Sequence, residues 1–334
     1  MTILVPGAIT PVGAPFATNP AYSGTFIPTI WSAKLNAKFY AASTFASICN
    51  KNWEGDIANL GDKVVINNIP SLTITDYVVG GNLSYQTPTP NTIEMQVDRA
   101  KAFAFQVSDV LDYQAKPELM SMFSDDASQQ MRVVMDSTCI YRTFSNGAAA
   151  NQGNNAGVKS GLFVLGTGTA PVALTAANVL QKVLELASVL DEQNVPDSGR
   201  WLLIDPLTRT LLLQSNIAQA YLTGDATSPV RNGLIGRIDR FDIYVSNNLP
   251  YAVSNTTNWV SGDGSEATTS SGGSPAVRRR AIIAGHTTAI AFASQMAKTE
   301  TLRNPTDFGD LVRGLNIFGH KVVKPEALAL AVVN

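Results

Sequence analysis

The hydrophobic pattern is most informative between residues 61 and 107. An alternating run at Lys63–Asn67 predicts a strand, and a second run at Ile93–Val107 predicts its partner. The segment between them is rich in turn residues, with Gly80-Gly81 followed by Thr87–Pro90. We therefore expect one long two-stranded hairpin with little core of its own. Such a hairpin is marginal in water by itself, so we expect a neighbouring copy of the chain to support it.

Two further patterns surround the predicted hairpin. Residues 1–28 contain five prolines and few charges, which indicates an extended arm that covers another surface. Residues 29–48 place apolar side chains on one face and predict a helix. A longer amphipathic helix is predicted from Pro117 to about Phe144, which corresponds to roughly 40 Å. The polar positions of this long helix, assigned to its outer faces, include Asp125, Asp126 and Asp136.

The second half of the chain alternates helices with strands, which is typical of an α/β lobe with its own core. Thr175 and Asp205 are the predicted N-caps of two helices, and the first helix stops at Asn194–Pro196. Residues 253–275 are dominated by Ser, Thr, Gly and Asn and predict an exposed loop. The predicted strands are Trp201–Ile204, Phe241–Val245, Ala281–Ala284 and a last one at 327–333 that returns to the sheet.

Composition narrows the class of protein. The chain has 334 residues, of which 45% are hydrophobic and only 15% are charged. Because soluble domains carry roughly 25% charged residues, much of this surface is expected to meet protein. A net charge of −2 argues against a basic nucleic-acid coat, and no apolar run is long enough for a membrane span. Cys49 and Cys139 are interpreted as buried free thiols rather than as a disulfide.

The sequence offers no catalytic chemistry. His286 and His320 are the only histidines, and neither has the spacing of a metal ligand. Residues 55–63 resemble a phosphate-binding loop, but five residues separate the two glycines and Asp62 would repel phosphate. No nucleophile elbow is present. We therefore predict no catalytic, cofactor or metal site, and no enzymatic activity.

Two residue classes remain as candidates for contacts. Arg278, Arg279 and Arg280 form the densest basic cluster, which could touch phosphate or a neighbour's carboxylates; we favour an intersubunit or solvent role. The four tryptophans are widely separated, so core or interface anchoring is their expected role.

The elements follow one another in the order arm, hairpin, long helix, α/β lobe and return strand. This order resembles that of the major capsid protein of tailed double-stranded-DNA bacteriophages, which has the Hong Kong 97-like fold. The likeness covers nearly the whole chain. The residues that carry it are Gly61–Ile66, Ile69–Tyr77 and Leu83–Gln86 for the extended loop, Leu190–Pro196, Gly199–Pro206 and Gly236–Pro250 for the axial domain, and Phe308–Asp310 with Gly319–Val323 for the peripheral domain.

The resemblance implies an α+β fold with five segments. These are the N-terminal arm and short helix at 1–50, the extended loop at 51–107, the peripheral domain with a spine helix at 108–160, the axial domain at 161–275, and a return to the peripheral domain at 276–334. It implies a virion protein, assembled in the bacterial cytoplasm, whose copies form pentamers and hexamers of an icosahedral shell around double-stranded DNA.

The resemblance also implies contacts and partners. A scaffolding protein and a portal are expected partners, and the binding of a decoration protein is left open. DNA is enclosed without sequence-specific binding, and no membrane or cofactor takes part. The expected intersubunit contacts are Trp53, Tyr77, Gly80, Gly81, Tyr85 and Arg278–Arg280.

Two departures from the family pattern lead to further expectations. Some members weld subunits through a lysine in the extended loop, but no lysine occurs between Lys63 and Lys101. We therefore expect a shell without covalent cross-links. The arm that begins at Met1 is too short for the cleaved scaffold segment of other members, so a separate scaffolding protein is expected.

Two alternatives stay open at this point. A nanocompartment shell of the encapsulin type would enclose a protein cargo instead of a genome. An α/β enzyme would use the lobe at 165–250 as its catalytic domain, but it would need a convergent polar site.

Overall fold

The computed structural model describes residues 43–52, 63–68, 70, 72–76, 79–80, 85–89, 91–108, 119–215, 236–253, 259–263, 278–306 and 308–334. The helices in this part of the chain are α1 (Phe45–Ile48), α2 (Leu119–Ser145), α3 (Val179–Glu192) and α4 (Pro206–Gln214). The strands are β1 (Lys63–Asn68), β2 (Asn91–Gln96), β3 (Arg99–Ser108), β4 (Arg200–Ile204), β5 (Arg237–Ile238), β6 (Phe241–Val245), β7 (Tyr251–Val253), β8 (Trp259–Val260), β9 (Arg278–His286), β10 (Ile290–Arg303), β11 (Gly309–Val322) and β12 (Leu328–Val333).

These strands form three sheets. β1 and β2 pair as an antiparallel hairpin, and β10, β11 and β3 form a three-stranded antiparallel sheet in that order. The third sheet has seven strands and is mixed: β4 pairs parallel with β6 and antiparallel with β9, which also pairs with β12 and β7. We call the three-stranded sheet the peripheral sheet and the seven-stranded sheet the axial sheet.

Helix α2 joins the two larger sheets. Its 27 residues correspond to about 40 Å, which confirms the predicted long helix. Toward its N-terminal end, Phe123 meets Phe105 of β3 edge-on, with ring centroids 5.9 Å apart. Toward its C-terminal end, Tyr141 joins a buried cluster with Ala281 and Val332 of the axial sheet. The helix therefore acts as a rigid spine between the sheets.

The axial sheet carries the main core. All five residues of β4 are buried, as expected for a strand with neighbours on both sides and helices on its face. The predicted N-cap Asp205 is confirmed, since its carboxylate accepts the amides of Leu207 (3.2 Å) and Thr208 (3.4 Å). Thr175 is not an N-cap. Its amide donates to Asn178 Oδ1 (2.8 Å), and this turn delays the start of α3 to Val179.

The C-terminal quarter differs from the expected division of the chain. The predicted return strand is confirmed as β12, which pairs with β9 in the axial sheet rather than in the peripheral sheet. The segment between them forms the 14-residue strands β10 and β11, which the sequence pattern did not predict. The expected segment 276–334 is thus shared between both sheets, and the domain boundaries themselves stay a prediction.

The predicted helix at 29–48 is only partly covered by the described residues. Its end is present as α1, which begins at Phe45 and not earlier, because a buried carboxylate from α2 accepts the amides of Thr44 and Phe45. The arm at 1–28 and most of the loop at 253–275 lie outside the described residues.

Candidate subunit interface

The base of the hairpin has a regular two-faced pairing. Val64 faces Met95 and Ile66 faces Ile93 on the inner side, whereas Val65 faces Glu94 on the outer side. Val65 is 53% exposed and Met95 is fully buried. This confirms the alternation read from the sequence, in which one face of the pair meets a core.

That core belongs to the chain itself, which corrects the expectation of an unsupported hairpin. Met95 and Val97 are buried against Ala293, Ile317 and other side chains from β10, β11 and the turn after β11. The second predicted run is also not one strand. The chain breaks its pairing at residues 97–98, and the remainder becomes β3 of the peripheral sheet. The base is therefore held within the subunit.

The tip of the hairpin presents apolar side chains to solvent. In the described residues beyond the base, Leu72 is 63%, Ile74 96%, Val79 88% and Tyr85 90% exposed. Such a cluster of exposed large apolar residues marks an interaction surface. Of the residues expected at this interface, Gly80 lies in the turn with φ +82° and Tyr85 is exposed, whereas Trp53, Tyr77 and Gly81 lie outside the described residues.

A side-chain amide fixes the two arms of the tip against each other. Gln86 Oε1 accepts the amide of Thr73 (3.1 Å), and Gln86 Nε2 donates to the Thr73 carbonyl (2.8 Å). This pair of bonds imitates one step of a strand ladder where the backbones are not paired. The apolar side chains on either side of Thr73, Leu72 and Ile74, are thereby presented in an extended arrangement.

A buried carboxylate anchors the spine helix to its surroundings. Asp136 is 2% exposed, although the sequence pattern assigned it to an outer face of the helix. Its Oδ1 accepts from Thr44 N (2.8 Å), Phe45 N (2.7 Å) and Ser43 Oγ (3.0 Å). Its Oδ2 accepts from Asn248 Nδ2 (2.7 Å), which ties the helix to the axial domain. The signal that could have revealed it is a single carboxylate within the apolar stretch from Met131 to Tyr141.

The arginine cluster lies at the start of β9, where alternate side chains point to opposite faces. Arg280 forms an ion pair with Asp205 at 2.5 Å, and both side chains are largely buried. Arg279 is 3% exposed. Arg280 thus has its ionic partner within the chain and Arg279 is buried in the subunit, whereas an intersubunit role for the cluster stays a prediction.

The two histidines have different environments. His286 accepts the amide of Thr288 at Nδ1 (3.2 Å) and its Nε2 lies 2.7 Å from the Ser198 carbonyl, so the neutral tautomer with a proton on Nε2 fits both bonds. His320 lies edge-on to Phe45, with ring centroids 6.2 Å apart. Burial lowers the pKa of His320 to about 4, so this ring is neutral at physiological pH.

The described residues show neither a metal-binding group nor a membrane-spanning helix. No group of three or more His, Cys, Asp or Glu side chains is placed to hold a metal ion. Within that same part of the chain, no helix combines the length and apolar character needed to cross a membrane.

Several solved structures that resemble this chain come from bacteriophages. The chain is similar to a structure from Mycobacterium phage Che8 (22% identity, TM-score 0.69), which covers 92% of this chain and 97% of that one. It is also similar to the capsid of cyanophage P-SCSP1u (16%, TM-score 0.66, 93% and 95% covered) and the mature capsid of bacteriophage PhiM1 (14%, TM-score 0.61, 91% of each). The fold is the Hong Kong 97-like capsid fold, as the sequence resemblance implied.

The sequence itself assigns the family. A profile of the phage capsid protein family matches residues 90–331, and the chain belongs to that family. A comparison with curated protein sequences finds no match. The protein is thus a structural capsid protein of a phage virion, whose copies assemble into a multimeric shell.

Proposed function

We propose that this chain forms the pentamers and hexamers of an icosahedral shell that encloses a double-stranded-DNA phage genome, after assembly in the bacterial cytoplasm. The hairpin tip of each subunit lies on an adjacent subunit. The observation that carries this proposal is the exposed apolar tip, above all Ile74 at 96% exposure, on a hairpin whose base is held by its own chain.

The tip is well suited to an interface between copies. Between Val64 and Val97 the charged residues are Asp76 and Glu94, so few ions must be desolvated on contact. Glu94 pairs with Lys63 (3.0 Å) on the exposed side of the base, away from the tip. Burial of one isoleucine side chain contributes roughly 1.5–3 kcal/mol, and a closed shell repeats this contact in every subunit.

The predicted contacts at the tip are Tyr77, Gly80, Gly81 and Tyr85, and we keep Trp53 and Arg278 as further intersubunit candidates. A separate scaffolding protein and a portal are the proposed partners. The enclosed DNA is held without sequence-specific contacts, in keeping with the net charge of −2.

Ile74→Asp tests the interface, with Thr75→Asp as its matched control. Both residues are exposed in the same segment, but only Ile74 offers apolar area. We expect Ile74→Asp to give folded subunits that do not close into shells by sedimentation and electron microscopy, and Thr75→Asp to assemble normally. Efficient shell formation by Ile74→Asp would contradict the proposed role of the tip.

The content of purified particles tests the enclosed cargo. Double-stranded DNA that is protected from nuclease is the expected result for particles isolated from infected cells. Particles that contain a single protein cargo and no DNA would favour the nanocompartment shell instead.

A further inference from the structure

A groove of about 260 Å³ lies beside the spine helix, where the described chain begins at Ser43. Its walls come from α1, from the spine helix and from β10 and β11 of the peripheral sheet. The large apolar side chains in these walls are Phe45, Met135 and Phe292, and Cys139 also belongs to the lining. Filled by solvent alone, the groove would hold about nine waters, at about 30 Å³ each, against these apolar groups. An apolar occupant is therefore favoured.

The polar groups of the groove favour an uncharged occupant that brings one hydrogen-bond donor. Asp136 is already satisfied, because its carboxylate accepts four hydrogen bonds from within the subunit. Arg132 lines the groove but is exposed, so its charge stays in water. Asn316 also lines the groove, and its Oδ1 is buried without a hydrogen-bond donor among the described residues. Because buried acceptors are nearly always paired, the occupant is expected to supply this donor.

The chain itself leads into the groove. Ser43 contributes to the lining, and its hydroxyl donates to Asp136 Oδ1 (3.0 Å), so this point of the backbone is fixed. The residues that precede it, 1–42, lie outside the described residues. Since consecutive Cα atoms are about 3.8 Å apart, a residue four positions before Ser43 lies within about 15 Å of it in any conformation. The covalent chain therefore gives these residues a higher effective concentration at the groove than a separate molecule has.

The sequence before Ser43 has the apolar character that the groove favours. Apolar side chains recur at spacings of four, four and three residues, on one face of the predicted helix, at Trp31, Leu35, Phe39 and Ala42. Along such a helix, Phe39 lies about 6 Å before Ser43, which is within reach of the groove. The adjacent Tyr40 is turned about 100° away from Phe39.

We propose that residues 30–42 dock on their own subunit, with the Phe39 ring in the groove between α1, the spine helix and the peripheral sheet. The docked segment covers the apolar walls of the groove and fixes the point from which the arm at 1–28 leaves the subunit. The inference concerns a single subunit, so its test does not depend on the proposed shell.

Thiol labelling of the full chain tests the position of residue 39. Phe39→Cys and Tyr40→Cys are each combined with Cys49→Ser, and the folded subunits are treated with N-ethylmaleimide. Mass spectrometry of the peptides separates the introduced thiol from that of Cys139. We expect the thiol of Phe39→Cys to react at least about tenfold more slowly than that of Tyr40→Cys, because only the first is covered by the groove.

The native thiol of Cys139 gives a second readout from the wall of the groove. This residue is 0% exposed. In the Cys49→Ser background, Phe39→Ala should open the groove and raise the labelling rate of Cys139 by about tenfold or more, whereas Tyr40→Ala should leave that rate unchanged. Circular dichroism shows whether each variant is folded.

The outcomes decide the docking within a single subunit. Slow labelling at position 39 with fast labelling at position 40 supports it, as does exposure of Cys139 in Phe39→Ala alone. Equal labelling at the two positions, or unchanged protection of Cys139 in folded Phe39→Ala, would overturn it. Protection of position 39 that is lost on dilution of the subunits would assign the groove to the segment of a second copy and would also overturn it. If Phe39→Ala does not fold, the comparison of the two cysteine variants decides.

Discussion

We expect that Asp136→Ala detaches α1 from the spine helix. The carboxylate accepts four hydrogen bonds, two of them from the backbone amides of Thr44 and Phe45, and it is 2% exposed. Hydrogen bonds to a charged group are worth roughly 1.5–3 kcal/mol each. A buried donor that is left without its acceptor costs about 1–3 kcal/mol, so the two amides that lose Asp136 cost roughly 2–6 kcal/mol together.

Hydrogen exchange measures this loss at the residues concerned. A local loss of about 2–6 kcal/mol corresponds to a fall of roughly 1.5 to 4 orders of magnitude in the protection of the Thr44 and Phe45 amides. Asp125→Ala is the matched control, since Asp125 lies on the same helix but is exposed. It should leave the protection of both amides unchanged.

Asp136→Asn sharpens the test. The amide oxygen can still accept from α1, but the nitrogen that replaces Oδ2 would face the donor of Asn248. An effect intermediate between wild type and alanine is expected. If Asp136→Ala protects Thr44 and Phe45 as well as wild type does, the assignment of this carboxylate as the anchor is wrong.

Three other perturbations have outcomes that follow from the structure. The pKa of His320 is about 4 in the folded chain, against 6.5 ordinarily, so folding favours the neutral ring. The contribution of the neutral ring to the free energy of unfolding is complete above pH 6.5 and is lost as the pH falls toward 4. A fall in the pKa from 6.5 to about 4 corresponds to a loss of at most about 3 kcal/mol, and melting curves of wild type and His320→Gln between pH 7.5 and 4.5 should reveal it. Gly166→Ala places a Cβ 2.3 Å from a backbone carbonyl of β12 at φ +81° and should lower the melting temperature strongly, whereas Gly161→Ala, with φ +59° and open space, should cost about 1 kcal/mol. Boiled particles should run as a monomer near 35.5 kDa on a denaturing gel, because no lysine occurs between Lys63 and Lys101.

Each of these has a result that would count against it. A pH dependence that is identical in His320→Gln would assign the acid loss to other groups. Equal melting temperatures for the two glycine variants would mean that β12 can move away from the added methyl group. A ladder of multimers after boiling would show that subunits are covalently joined through some other lysine.

Sequence patterns predicted the elements whose structure depends on residues that are close together in the sequence. The spine helix and strand β6 were visible because their apolar positions repeat with a clear period, and strand β4 because it is a short continuous apolar run. The cap at Asp205 was visible because a proline follows it. In contrast, the division of Ile93–Val107 between two sheets depends on partners more than 200 residues away, such as Ile317, and no local pattern contains them.

The parts that were missed share one property, which is that their partners are distant in sequence. Strands β10 and β11 mix charged residues with apolar ones on an exposed face, so their period is weak, although they pair along nearly their whole length with one register shift between Met296 and Lys298. Asp136 fits the polar face of an amphipathic helix, and only its tertiary partners Thr44 and Asn248 explain its burial. The loop at 156–164 is held by tertiary hydrogen bonds from Lys182 and to Glu192, which no local pattern contains.

Buried polar groups and exposed apolar groups have different roles in this chain, the first in folding and the second in assembly. The buried polar anchors Asp136 and Asp205 connect elements of a single chain. Of the thirteen large apolar residues exposed in the described part of the chain, four lie on the hairpin tip and three on the loop at 156–164. Because contacts between apolar groups are non-directional, such surfaces can adjust to the slightly different angles between subunits in the proposed pentamers and hexamers. Directional polar contacts are kept where the geometry is the same in every copy, which is inside the subunit.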